Sequence, residues 1–221
     1  MGEMQTLSGP TRAAEPGTSL TLMVLADGPE GCACIDMSSG ALVRAAYEGS
    51  PAQALTLFDV VRARIADDPD GPDPTQPEGV TLAAPPQAVG RARRRRARRL
   101  IEPLLLPPGA EPFGFPGSAA QYWTVPGDRP SLAVLAPQKA PILLWRTATH
   151  LACRFGWRGV EFELPVADAG LREAAADAGP RLTGRTLARC LGFAPEYLLL
   201  ALSAPQAGRC YKVVAGLLPQ P

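Results

Sequence analysis

Apolar positions along this chain fall into short runs, and these runs predict many short strands. In the first half the runs are SLTLMVLAD (19–27), CACIDMSS (32–39), GALVRAAY (40–47) and GVTLAAP (79–85). Apolar and β-branched residues that are interrupted by glycine and proline are typical of a β-meander. We therefore expect the first half to be built mainly from strands.

The second half shows the same kind of pattern. Its predicted strands occupy residues 131–137, 141–147, 150–157, 159–166, 197–203 and 210–219.

One of these segments also resembles a DNA-binding motif. Together with the preceding TLARCLGF, the run YLLLALS has the pattern of a helix-turn-helix. A recognition helix needs a polar face that reaches base edges. Because YLLLALS has no such face, we expect a buried strand there.

Three segments show helical signals instead. Apolar residues spaced three and four apart predict a helix within residues 51–68, namely Leu57, Val60, Val61 and Ile65. Residues 168–179 are rich in alanine and predict a second helix. Residues 183–193 predict a third helix, with Thr183 as a candidate N-cap.

The two halves also resemble each other in sequence. SLTLMVLADG (19–28) resembles SLAVLAPQKA (131–140), and LAAPPQAVGR (82–91) resembles ALSAPQAGR (201–209). Matching segments in the same order indicate an internal duplication, although such short matches also arise by coincidence. In a duplicated fold each half would offer one open sheet face, and the two faces would bury against each other.

The predicted fold class is therefore α+β and β-rich, with two similar tandem halves packed into one compact unit. Each half is expected to contain a meander, a helix and a closing hairpin. The predicted segments are a flexible tail (1–18), a first half with an arginine-rich loop (19–108), a Pro/Gly-rich connector (109–130) and a second half (131–221).

One basic run stands out from this ordinary globular pattern. The segment GRARRRRARRL (90–100) carries seven of the 22 basic residues, and without them 15 basic residues face 21 acidic ones. The seven are Arg91, Arg93, Arg94, Arg95, Arg96, Arg98 and Arg99. The match to residues 201–209 places the run between two closing strands, so we expect an exposed, mobile hairpin loop or a short helix inserted in one. Like charges three and four apart oppose a stable helix.

Three hypotheses account for this run. Guanidinium groups match phosphate oxygens, so the run is a candidate nucleic-acid site; without interleaved aromatic residues, such binding would not be sequence-specific. The run also suits an acidic protein surface, or the acidic segment of this chain that contains Asp67, Asp68, Asp70, Asp73 and Glu78. The third hypothesis is a solvated loop without a partner.

The sequence gives little indication of catalysis. It contains no GxSxG, P-loop, dinucleotide-binding or HExxH motif. The only histidine, His150, is expected in a surface turn, and Glu161 and Glu163 are expected on the solvent face of a strand. The large aromatic residues are expected to pack in the core: Tyr122, Trp123, Trp145, Phe155 and Trp157.

Cysteine usage bears on the compartment. Cys32, Cys34, Cys153, Cys190 and Cys210 form neither a disulfide framework nor a zinc motif. We expect free thiols, mostly buried, and hence a reducing cytoplasm. No apolar stretch reaches the roughly 18 residues of a membrane helix. The Ala-, Arg- and Pro-rich composition favours a bacterial source.

Taken together, these features predict a non-enzymatic cytoplasmic binding or assembly protein that presents the arginine run to an acidic protein or polyanion. Two alternatives remain open at this point: a nucleic-acid-binding protein without sequence specificity, and an enzyme with an unrecognised site. No catalytic residue, cofactor, metal or membrane partner is predicted, and exposed sheet edges could pair between copies of the chain.

Overall fold

Three β-sheets and three α-helices make up the residues that the computed structural model describes, which are 15–28, 31–67, 73–125, 127 and 129–220. The first sheet contains β1 (Ser19–Gly28), β2 (Gly31–Asp36), β3 (Leu42–Ala46), β4 (Asp59–Arg64), β5 (Gly79–Thr81) and β6 (Gln87–Arg91). Helix α1 (Arg94–Ile101) follows β6 directly. All pairs in this sheet are antiparallel except β3 with β5, and the strand order is β5-β3-β2-β1-β4-β6.

Eight further strands follow helix α1. They are β7 (Ala119–Gln121), β8 (Leu132–Leu135), β9 (Lys139–Trp145), β10 (Leu151–Trp157), β11 (Val160–Pro165), β12 (Arg181–Leu182), β13 (Pro195–Leu202) and β14 (Arg209–Pro219). Helices α2 (Ala169–Ala176) and α3 (Gly184–Leu191) flank β12. The central sheet has the order β7-β14-β13-β8, and the third sheet has the order β11-β10-β9-β12.

The central sheet lies between the other two. On β13, Leu198 and Leu200 belong to an apolar cluster shared with the third sheet and helices α2 and α3, whereas Leu199 and Ala201 belong to a cluster shared with the first sheet and α1. Alternate side chains of a strand point to opposite faces. A strand that is buried on both faces therefore needs the uninterrupted apolar run that residues 197–202 provide.

Close approach of β14 to β1 fixes the spacing between the first and central sheets. A Cβ atom on Gly216 would lie 3.3 Å from the Cβ of Ala26 and 3.5 Å from the carbonyl oxygen of Leu25. Because such contacts leave no room for a larger side chain, glycine at this position permits the two sheets to pack closely.

The α+β, β-rich fold class is confirmed, and the predicted strands of both halves are present. The predicted helix within 51–68 is wrong, because residues 59–64 form β4. There Val61, Ala63 and Ile65 are buried while Arg62 and Arg64 are exposed. Burial of every second residue is the pattern of a strand, and the β-branched residues of this segment favour a strand over a helix.

The predicted tandem halves are not confirmed. Residues 19–91 form one six-stranded sheet, whereas the downstream residues form two four-stranded sheets. The matched segments also differ in role. Residues 82–91 end in an edge strand that pairs with β4, while residues 201–209 span the turn between β13 and β14.

Candidate functional site

The arginine run occupies the end of edge strand β6 and helix α1. Arg91 ends β6, Ala92 and Arg93 connect the two elements, and the other five arginines lie on α1. All seven are exposed. Of the two predicted forms, the structure therefore contains a short helix, but it joins two sheets and is not inserted in a hairpin loop. We call these seven residues the arginine surface.

Helix α1 is held by tertiary packing. Ala97 and Ile101, four residues apart, are fully buried in the cluster between the first and central sheets. Its first turn contains no acidic residue, and cations there oppose the helix macrodipole. Helices this short are marginal alone, so burial of the Ala97 and Ile101 face keeps the arginines in a helix.

The helix distributes its arginines over three directions. Successive residues are about 100° apart around an α-helix. Arg95 and Arg99 therefore lie opposite the buried Ala97 and point away from the protein. Arg96 lies on one flank, and Arg98 lies on the other, where it pairs with Glu102 at 2.6 Å.

A groove of about 290 Å³ lies between the N-terminal part of α1 and the first sheet. Its lining residues are Thr21, Met37, Val60, Arg91, Ala92, Arg93 and Arg96. Val60 on β4 pairs in register with Met23 on β1, so both side chains lie on the face that is turned toward the central sheet. The central sheet does not cover the whole of this face of the first sheet, and the groove lies at the uncovered end.

The groove opens toward the edge of the first sheet. Gly90 on β6 lies opposite Val60, and no atom lies within 4 Å of a Cβ placed on Gly90. The neighbouring Val89 sits at a bulge and is 52% exposed. Within the part of the chain that the structure describes, no strand pairs with the outer edge of β6.

The arginine surface carries little internal neutralisation. Among the described residues, the pair between Arg98 and Glu102 is the only ion pair of this surface. Hydrogen bonding and the opposite charge of Glu102 raise the pKa of the Arg98 guanidinium. The other six guanidinium groups therefore keep a concentrated positive charge facing solvent.

The acidic segment 67–78 was a predicted internal partner of this surface, and its described residues have other contacts. Asp67 pairs with Arg64 at 2.7 Å, and Asp73 accepts hydrogen bonds from Thr75. Glu78 is buried and binds Ser131. Asp68 and Asp70 lie outside the described residues.

All five cysteines are free of disulfide bonds, and four of them are buried. Cys32 and Cys34 face the same side of β2, with their Sγ atoms 3.3 Å apart and both residues buried. The hydrogen bond that the Cys34 thiol donates to Cys32, together with burial, raises the pKa of Cys34, and burial raises the pKa of Cys153 to about 12. Over the described ranges, no group of three metal-ligating side chains converges.

The residues considered for catalysis do not form a catalytic group. His150 is exposed in the turn between β9 and β10, as predicted. Glu163 binds Arg146 and Arg154, and Glu161 lies 3.5 Å from Arg154. The hydrogen bonds from Arg146 and Arg154 lower the pKa of the Glu163 carboxyl. These exposed pairs stabilise a sheet surface and leave no free acid–base pair.

The aromatic residues follow the prediction only in part. Trp157 and Phe155 are buried in the core, and Trp145 packs against it. The prediction is wrong for Trp123 and Tyr122, which are 63% and 46% exposed. They lie in a short 3₁₀ turn after β7, where their rings contact each other edge to face at 5.2 Å.

Two polar features were not predicted from the sequence. The first is a buried cluster in which Ser131 donates its backbone N–H and its hydroxyl to Glu78, and Arg44 donates to the Ser131 hydroxyl at 2.9 Å. The second is Lys212, which is 1% exposed and donates to the carbonyl oxygen of Phe115 at 2.6 Å. Both lie inside the fold and serve its packing.

Comparison of this chain with protein-family models, with curated proteins and with solved structures finds no match. In the described residues, no helix is long and apolar enough to cross a membrane. Function is therefore inferred from the geometry and charge of the arginine surface.

Proposed function

We propose that this chain is a non-enzymatic cytoplasmic binding or assembly protein whose arginine surface binds an acidic partner. The observation that carries the proposal is the placement of seven exposed arginines within residues 91–99, at the end of β6 and on α1, with a single ion pair among the described residues. The free thiols support the assignment to a reducing compartment.

Concentrated positive charge of this kind lowers the stability of the fold unless a partner neutralises it. Arg95 and Arg99 are four residues apart on α1, and like charges at that spacing on a helix repel. A partner that supplies carboxylates or phosphates removes the repulsion and gains charge-assisted hydrogen bonds. The surface is therefore better suited to a bound anion than to solvent alone.

Nucleic acid is the second candidate partner, and the outward direction of Arg95 and Arg99 favours it. Both side chains are free to reach backbone phosphates without rearrangement of the fold. Helix α1 carries no aromatic side chain that could stack on bases, so the binding would depend on charge.

Polyanion binding is the test of the general proposal. Fluorescence anisotropy would measure the affinity of the full chain for labelled poly-glutamate, mixed-sequence duplex DNA and single-stranded RNA, at several salt concentrations. We expect at least one probe to bind, and its affinity to fall steeply as salt rises. Replacement of Arg95 and Arg99 by serine should weaken that binding about tenfold, since each exposed contact is worth up to about 1 kcal/mol.

A matched control is available on helix α3. Arg185 and Arg189 are also exposed and four residues apart, so their replacement by serine removes the same charge from another surface. The proposal predicts no loss of binding in this control. Equal losses in both double variants, or no salt-dependent binding of any probe, would contradict it.

A further inference from the structure

We infer that the partner is an extended acidic peptide segment that adds as a strand to the outer edge of β6 and places one apolar side chain in the groove beside α1. This inference rests on the proposed function and specifies the partner class. It combines three features that meet at one place: an open sheet edge, an apolar groove, and arginines that form no ion pair with any described residue.

The edge of β6 is suited to strand addition. All five residues of the strand are exposed, and β4 is its one strand partner among the described residues. An edge strand presents unpaired N–H and C=O groups that another extended chain can bind. Exposed apolar Val89 lies in the middle of this edge, without the lysine or proline that protects many edge strands.

The groove is suited to an apolar side chain. Met37, Val60 and Ala92 supply its apolar wall, and the missing side chain of Gly90 leaves an entrance from the sheet edge. In an antiparallel pair, the residue opposite a glycine can lie across it toward the neighbouring strand. A side chain opposite Gly90 on an added strand would thus reach Val60.

The charges at the site favour carboxylates on both sides of that apolar residue. Arg91, Arg93 and Arg96 line the groove itself, and the outward pair Arg95 and Arg99 extends the positive surface along α1. Arg62 adds a further cation, since it pairs in register with Thr21 and therefore lies on the same face. An acidic segment would follow these cations from the edge of β6 along the helix.

The groove distinguishes a peptide from nucleic acid. A phosphate backbone gains nothing from the Met37 and Val60 wall, and placing its charged oxygens against that wall would cost the free energy of their desolvation. A peptide with one apolar side chain uses the wall and the arginines together. The juxtaposition therefore favours an acidic polypeptide over a polyphosphate.

Synthetic octapeptides provide the probes. The first is composed of Asp and Glu with one central Phe, and the second has Ser in place of that Phe. We expect the Phe peptide to bind the full chain about tenfold more tightly, as burial of part of an aromatic ring predicts. Isothermal titration at constant salt would measure both affinities.

Variants of the protein locate the apolar contact. Thr21→Phe fills the groove, whereas Thr81→Phe places the same side chain at the exposed end of β5, at the opposite edge of the sheet. The T21F variant should abolish the preference for the Phe peptide, and the T81F variant should retain it. Thermal unfolding of both variants checks that each is folded before binding is compared.

Peptide backbones test strand addition directly. Alternate N–H groups of a strand face the same edge, so N-methylation of one alternating set should abolish binding while methylation of the other set is tolerated. Equal tolerance of both sets would exclude strand addition. Binding of a duplex DNA more tightly than the Phe peptide, or equal effects of T21F on DNA and peptide, would overturn the peptide assignment. In either case salt-dependent loss in the Arg95 and Arg99 variant would still support the more general proposal.

Discussion

Arginine has opposite roles in two regions of this molecule. Arg44 lies at the joint between the first and central sheets, where its guanidinium donates to the Ser131 hydroxyl at 2.9 Å and to the Leu202 carbonyl oxygen at 3.1 Å. Glu78, with a side chain 1% exposed, lies beside it. Arg44, Glu78 and Ser131 form what we call the Glu78 cluster.

The arginine surface differs from Arg44 in both exposure and pairing. Its side chains are exposed, and only Arg98 has a carboxylate partner within the described part of the chain. Helix α1 would bury the same Ala97 and Ile101 whatever residues stood on its outer face. One arginine thus connects two sheets, whereas six of the seven on the arginine surface contribute charge that no described carboxylate neutralises.

The largest expected effect comes from breaking the Glu78 cluster. Glu78→Ala leaves the Ser131 N–H and hydroxyl without the Glu78 acceptors and removes the carboxylate that lies beside Arg44. We expect the free energy of unfolding to fall by about 3 kcal/mol, measured by urea denaturation. Exposed Glu48→Ala is the control and should change it by less than about 0.5 kcal/mol. A loss below about 1 kcal/mol in E78A would show that the cluster does not connect the sheets.

A smaller effect is expected at Lys212, a buried cation that has no carboxylate partner among the described residues. Burial lowers its pKa from 10.5 to about 8. Between these two pKa values the Lys212 amine keeps its proton in the unfolded chain but has lost it in the folded protein. The free energy of unfolding should therefore rise with pH from about 8 toward 10.5. Compared with Lys212→Met, the wild type should gain about 2 kcal/mol between pH 8 and about pH 9.5, measured by denaturation at each pH.

The Lys212→Met comparison removes the titration of other groups, which both proteins share. Parallel pH profiles of the two proteins would mean that the amine stays hydrated in the folded state. If the two pH profiles of stability diverge, Lys212 resembles the Glu78 cluster in being a polar group that the folded protein keeps away from water.

The smallest effect on stability is expected on the arginine surface. Arg95→Glu puts an acidic side chain in the first turn of α1 and four residues before Arg99, so the protein should become more stable by about 0.5 kcal/mol. Binding of poly-glutamate should weaken at least tenfold, because one cation becomes an anion. Higher stability with weaker binding would separate function from folding at this residue.

Arg185→Glu is the matched control for that change. Arg185 also occupies the second position of an exposed helix, α3, with Arg189 four residues later. It should raise stability by a similar small amount and leave binding unchanged. If R95E instead destabilised the chain by more than about 1 kcal/mol, the arginine surface would have a structural role that the comparison with Arg44 excludes.

The strands could be predicted from the sequence because their burial is local in origin. The apolar runs of β13 and β14 identify a sheet that is buried on both faces without knowledge of its neighbours. In contrast, Val60, Val61 and Ile65 satisfy both a helical and a strand period, and the sequence spacing alone favoured the wrong one. Only packing against β1 and β6 settles that segment as β4.

The candidate site could be predicted only in part. The arginines were evident from composition, but the choice between an exposed loop and a short helix was not, because Ala97 and Ile101 become a buried face only when the central sheet is present. The groove joins Thr21, Met37 and Val60 to the arginines across separate strands. Glu78 and Ser131 are 53 residues apart, and no local pattern marks either of them as buried.

The placement of the central sheet has a consequence for the order of events during translation. The six strands of the first sheet are complete at residue 91, but β13 and β14, which cover its inner face, begin at residues 195 and 209. At about 5–20 residues per second, roughly ten seconds separate the emergence of these partners from the ribosome. During that interval Met23, Leu25 and Ile35 lack the cover of β13 and β14, so the nascent chain offers a chaperone an apolar surface that the finished protein conceals.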